Sequence, residues 1–200
     1  MKTTNFKMRM NWNIIAVFFA AMVLLGITSC KVSETNSQID IRTKTITKQE
    51  VADAQKAWGE GIVNIGKVFS EHGDYKAAAT AHLNNFYNYQ EGTVLFKPTL
   101  ASQNQFRTDF EGALSYFVAG NSKYPEDAGF AINPWSAVRW ENIGTKIIGN
   151  MAVAMGNYYF TPATGGNEGK VEYSFAYTKN NTGQLKIILH DSHYPYSPKK

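Results

Sequence analysis

Metal catalysis is the first chemistry to test against this sequence, because its ligands are few and easily counted. The chain has four histidines, His72, His82, His190 and His193, and one cysteine, Cys30. A catalytic zinc site takes three His or a mixed Cys/His set. His190 and His193 have odd spacing, which on a strand puts them on opposite faces unless the chain bends near Pro195. Asp191 can join only one of them. A mononuclear site is poorly supplied, so no cofactor is expected, with zinc or manganese left open. The same stretch offers a different chemistry. Along a strand His190 and Ser192 share one face while Asp191 and His193 share the other. An imidazole and a hydroxyl can therefore look into one pocket.

The position of Cys30 removes it from the ligand count. Lys2, Lys7 and Arg9 precede an uncharged apolar run from Ile14 to Ile27, and Thr28-Ser29 lead into the cysteine. Basic head, apolar middle and small-residue exit make residues 1–29 a secretory signal peptide. The run is shorter than the roughly 20 residues that span a bilayer. Ile27-Thr28-Ser29-Cys30 resembles the lipobox of bacterial lipoproteins, which implies lipidation of Cys30. The alternative is an ordinary secreted protein with a chance cysteine, but a solitary exported thiol has no disulfide partner. The expected location is therefore outside the cytoplasm, lipid-anchored to a bacterial membrane and facing the periplasm or cell exterior.

Residues 30–46 are polar and lack apolar periodicity, reading as a tether; residues 47–200 read as one domain. Three of the 20 basic residues lie in the leader, leaving 17 against 16 acidic ones. No basic patch calls for nucleic acid.

The elements that must position the chemistry follow from local pattern. Thr47 and Glu50 have capping-box spacing, with Ile46 and Val51 placed as a hydrophobic staple. Val51, Ala54, Trp58, Ile62, Ile65 and Phe69 then recur at steps of three and four, predicting a helix to about His72. Asp74 can cap a second helix from Tyr75 to about Tyr87. Thr93 to Leu100 reads as a strand, with Pro98 at an edge or strand end, and Gln105 to Val118 as a shorter helix. Strands are expected at 138–141, 151–160, 171–178 and 185–190, with Asn180-Asn181-Thr182-Gly183 turning the last hairpin. Helices followed by a run of antiparallel strands indicate an α+β fold: a strongly curved antiparallel sheet closed by the long first helix. Such a cone leaves a pocket at its open end.

Several segments carry a family likeness in this order and spacing: Ala57-Trp58-Gly59-Glu60-Gly61-Ile62-Val63, Phe96-Lys97-Pro98-Thr99-Leu100, Ala113-Leu114-Ser115-Tyr116-Phe117, Asn133-Pro134-Trp135, Arg139-Trp140-Glu141-Asn142, Met155-Gly156-Asn157-Tyr158-Tyr159-Phe160, and Leu189-His190-Asp191-Ser192-His193-Tyr194-Pro195-Tyr196. Together they resemble the iota-class carbonic anhydrases, over about residues 47 to 196. The resemblance implies the cone-shaped α+β barrel of nuclear transport factor 2 and the SnoaL-like proteins, and a homodimer. It also implies reversible hydration of carbon dioxide, with carbon dioxide and bicarbonate as partners. Members are described both with and without metal. The terminal motif departs from the family, where His-His-Ser-Ser is common: the second His is Asp191 here and the second Ser is His193.

Carried over by position, the resemblance places Thr99, Tyr116, His190 and Ser192 in the site. The three hydroxyls would orient water and hydrogen-bond the carbonate oxygens. His190 would relay the proton, since a free imidazole titrates near neutrality. Each residue also has a structural reading. Thr99 can simply end a strand, Tyr116 can be a core tyrosine, and His190 and Ser192 can sit on a solvated edge. Trp58, Trp135, Trp140, Tyr158, Tyr159 and Phe160 read as core and dimer-face residues, and Arg139 with Glu141 as an ion pair. The rival function is a non-catalytic module of the same fold that binds a small ligand or builds an oligomer.

Overall fold

Residues 45–199 are described by a computed structural model; the leader, Cys30 and all but the last two residues of the tether lie outside them. Thr47 caps the first helix of the described residues, α1 (Lys48–Ser70). Its hydroxyl accepts the Glu50 N–H at 3.1 Å, and the Glu50 carboxylate accepts the Thr47 N–H at 2.8 Å. Two orphan donors at the helix start are thereby satisfied. Val51, Trp58, Ile62 and Ile65 form a buried stripe, and Phe69 emerges into solvent at its end. Asp74 caps α2 (Tyr75–Phe86) by accepting the Ala77 N–H. Gly61 allows the two helices their close approach: a Cβ there would lie 2.3 Å from the His82 ring.

Among the described residues the fold is α+β, with three α-helices and one five-stranded sheet. The strands are β1 (Leu95–Lys97), β2 (Trp135–Ile148), β3 (Met151–Pro162), β4 (Gly169–Lys179) and β5 (Leu185–His193), in spatial order β1-β5-β4-β3-β2. The third helix, α3 (Phe110–Val118), and a 3-10 turn at Phe130–Ile132 lie between β1 and β2 in sequence. Register shifts between Asn142 and Gly144 in β2 and between Ala176 and Tyr177 in β4 interrupt the ladders, the kind of irregularity that bends a sheet.

Four expectations need correction. The sheet is not wholly antiparallel, because β1 pairs with β5 in parallel, Phe96 opposite His190. Its strand has three residues rather than eight; Pro98 has no N–H with which to extend the ladder. Helix α3 starts at Phe110, not Gln105: Asp109 caps it, while Phe106 is exposed and the Arg107 N–H bonds back to the Phe96 carbonyl. Arg139 pairs with Glu168 at 2.9 Å rather than with Glu141, whose carboxylate is taken by Tyr159 and Asn157.

The helices cover one sheet face. Ala152, Ala154, Tyr158 and Phe160 of β3 and Val171, Tyr173, Phe175 and Tyr177 of β4 point into that side, around Trp58. The other face carries exposed Ile143, Val153 and Met155.

Candidate active site

Strand β5 supplies two polar side chains to the buried side by simple alternation. His190 and Ser192 are 3% and 2% exposed, whereas Asp191 is half-buried and His193 exposed. The parallel register with β1 then matters. Lys97 lies opposite Asp191, so the chain that leaves β1 through Pro98 carries Thr99 alongside Ser192. The Thr99 hydroxyl donates to the Ser192 hydroxyl at 2.9 Å. Helix α3 brings Tyr116 to the same place with its phenol buried, and the Leu100 backbone N–H hydrogen-bonds that oxygen.

The four residues line one cavity of about 140 Å³. This lies well below the roughly 300–1,000 Å³ of pockets for drug-sized ligands, so its natural occupant has few atoms. Apolar walls come from Phe96, Phe117, Phe130, Trp135, Phe160 and Val171; exposed Leu100, Asn133, Gly169 and Tyr194 rim the opening. The lining contains no carboxylate, lysine or arginine. Burial pushes the Tyr116 and Tyr158 phenols above their ordinary value, which keeps them protonated as donors. The polar end of this cavity is therefore a set of neutral hydroxyl donors.

Sequence reasoning missed two residues here. Tyr158 of β3 lines the cavity, and its hydroxyl is within reach of Ser192 and Thr99. Tyr87 turns extended at the end of α2, bridges to Ile187 of β5, and hydrogen-bonds His190 Nδ1 at 2.8 Å. Both resemble core aromatics in a linear reading. The available signal is that a buried phenol needs a polar partner.

His190 also differs from expectation. Its ring is enclosed by Phe96, Phe175, Trp58, Tyr87 and Tyr158. Burial first, and His82 second, hold its pKa well below the ordinary imidazole value. The apolar enclosure therefore favours the neutral ring at neutral pH. His82 is likewise buried and neutral, pushed down to about 3. Among the described residues, no group of three or more His, Cys, Asp or Glu side chains is placed to hold a metal ion.

A family profile described as metal-independent carbonic anhydrase matches residues 49–194, well over half of the chain. The chain belongs to that family. A metal-independent carbonic anhydrase from Nostoc sp. (strain PCC 7120 / SAG 25.82 / UTEX 2576) is 39% identical over 197 residues, covering 92% of this chain and 96% of the relative. A solved structure, the iota-carbonic anhydrase from a cyanobacterium complexed with bicarbonate, superposes with a TM-score of 0.75 at 42% identity. That match covers 78% of this chain and 96% of the other. Metal independence in the family agrees with the expectation of no cofactor, and the cavity lining offers hydroxyls and one imidazole. Asp191 and His193, where the sequence departs from the terminal motif expected from the resemblance, do not line the cavity; His193 is exposed and Asp191 half-buried.

Proposed function

We propose that this cavity is the active site of a carbonic anhydrase that hydrates carbon dioxide to bicarbonate, reversibly and without metal. The carrying observation is that the Thr99, Tyr116 and Ser192 side chains, the first and last hydrogen-bonded to each other, line one small, uncharged, aromatic-walled cavity in a chain of this family. Apolar carbon dioxide fits the aromatic walls. The linked Thr99 and Ser192 hydroxyls orient a water beside its carbon. As the water oxygen bonds to carbon, one C=O π pair moves onto oxygen, where protonated phenols donate to the growing charge. The water's proton leaves to solvent at the rim, completing bicarbonate. Reversal of these steps dehydrates it.

Asp191 and His193 do not intrude into the cavity, which removes the feature that would favour a non-catalytic binding module. Oxygen-18 exchange between carbon dioxide and water, run on the purified full chain with and without a chelator, tests the reading. Exchange well above background that survives chelation is expected. Background exchange by folded protein would overturn it.

We further infer three features around this site. The bent ladders and helix-covered face support the cone-shaped barrel of the nuclear transport factor 2 type for the 47–200 domain. Exposed Ile143, Val153 and Met155 on the opposite sheet face support a homodimer built on that face, which sedimentation equilibrium would read as twice the chain mass. The leader and Cys30 support an exported lipoprotein held at a membrane; Cys30→Ser should move the protein to the soluble fraction.

A further inference from the structure

The polar end of the cavity continues inward through a line of buried hydrogen bonds. The Trp58 indole N–H donates to the Tyr87 hydroxyl oxygen at 3.1 Å. That hydroxyl lies 2.8 Å from His190 Nδ1, and His190 Nε2 lies 3.3 Å from the Tyr158 hydroxyl. All four residues are at most 3% exposed.

Counting donors sets the direction of every bond. An indole N–H can only donate, so the Tyr87 oxygen accepts it. The single Tyr87 proton then needs an acceptor in an apolar surrounding, and Nδ1 is the polar atom beside it. Nδ1 therefore carries no proton. A neutral imidazole has one, which must sit on Nε2 and donate to the Tyr158 oxygen. The Tyr158 proton is left to point at the cavity, where the Ser192 and Thr99 hydroxyls lie. Protonating Nδ1 would leave the Tyr87 proton without an acceptor. The titratable groups facing the ring are Tyr87, Tyr158 and His82, none of which supplies a negative charge to balance an imidazolium.

We infer that Tyr87, which lies outside the cavity, is a positioning residue: it locks His190 in the Nε2–H tautomer and so makes Tyr158 a fixed hydrogen-bond donor to the bound carbonate oxygen. The line runs one way, from Trp58 to the cavity. Nε2 is already protonated and the inner end is an indole N–H, so the line cannot take up a proton from the cavity and carry it away. It stabilises negative charge in the cavity and leaves proton release to the rim. This assignment deepens the carbonic anhydrase reading and rests on it for the identity of the anion.

The test uses the full chain labelled with nitrogen-15 in histidine, with the His190 ring identified by its loss in His190→Gln. Long-range proton–nitrogen spectra should show His190 as the neutral Nε2–H tautomer, unchanged from about pH 8 to about pH 6, across the ordinary imidazole range. An Nδ1–H tautomer, or an imidazolium within that range, overturns the assignment. Bicarbonate dehydration kinetics provide the second arm. A glutamine at position 190 can accept from Tyr87 through its carbonyl and donate to Tyr158 through its amide, yet cannot relay a proton. His190→Gln should keep at least about tenfold more kcat/KM than His190→Leu, and Tyr87→Phe should lose about tenfold. Equal losses in the Gln and Leu variants, or an unaffected Tyr87→Phe, would refute the donor line. The tautomer is read without turnover, so an inactive wild type would sink the enzyme reading without being confused with a failure of this one.

Discussion

The Thr99 hydroxyl donates to the Ser192 hydroxyl at 2.9 Å across 93 residues of chain. The contact exists because β1 and β5 run parallel and end together, so each delivers its hydroxyl to the same end of the cavity. Ser192→Ala and Thr99→Val each remove a member of this pair while keeping most of the side-chain volume. Each should lower kcat/KM for carbon dioxide hydration by about 10²-fold, the usual consequence of deleting a preorganised donor. Stopped-flow hydration with a pH indicator reads the rate, and far-ultraviolet circular dichroism should be unchanged. A loss under about threefold would remove the pair from the chemistry.

The opposite face of β5 makes the contrasting prediction. Asp191 sits 3.7 Å from Lys97, and His193 pairs with Glu172 at 3.1 Å, all on partly exposed side chains. Exposed pairs of this kind contribute about 0–1 kcal/mol. Asp191→His and His193→Ser should leave kcat/KM within about twofold in the same assay. A tenfold change would bring the outer face into the reaction.

Acid stability should report the two buried imidazoles. Burial lowers the pKa of both His82 and His190, so below about pH 6.5 the unfolded chain binds more protons than the folded one. Stability is then fully present above that pH and declines as pH falls towards the folded values. The slope is about 1.4 kcal/mol per pH unit for each ring that titrates only when unfolded. Urea unfolding between about pH 6.5 and pH 5, above the ordinary carboxylate range, isolates this contribution. His82→Leu should halve the slope; an unchanged slope would mean that His82 is charged or accessible in the folded state.

Gly61 sets two opposing effects against each other. Alanine favours a helix by about 1 kcal/mol over glycine. Its Cβ, however, would lie 2.3 Å from the His82 ring, which is itself held between Phe86 and Phe117. Overpacking against a ring that cannot move costs about 1–3 kcal/mol. Gly61→Ala should therefore destabilise by about 1 kcal/mol net, measured by urea titration. Stabilisation would show that the interface between α1 and α2 gives way easily.

Local pattern carried much of this protein. The Thr47 and Glu50 pair specifies the start of α1 because capping needs only residues three apart, and the Val51-to-Ile65 stripe specifies its buried face. The alternation Val171, Tyr173, Phe175, Tyr177 specifies β4, and it likewise places His190 and Ser192 on one side of β5. Sequence also placed Thr99 and Tyr116 beside them through family likeness, and limited metal chemistry by ligand count. Only the tertiary structure decided that β1 joins β5 in parallel, since strand partner and direction depend on contacts between distant segments rather than on residue periodicity. It also decided the state of His190. An imidazole's charge and tautomer follow from what encloses it, and here the enclosure is an aromatic cage closed by Tyr87 and Tyr158, contributed by separate parts of the chain.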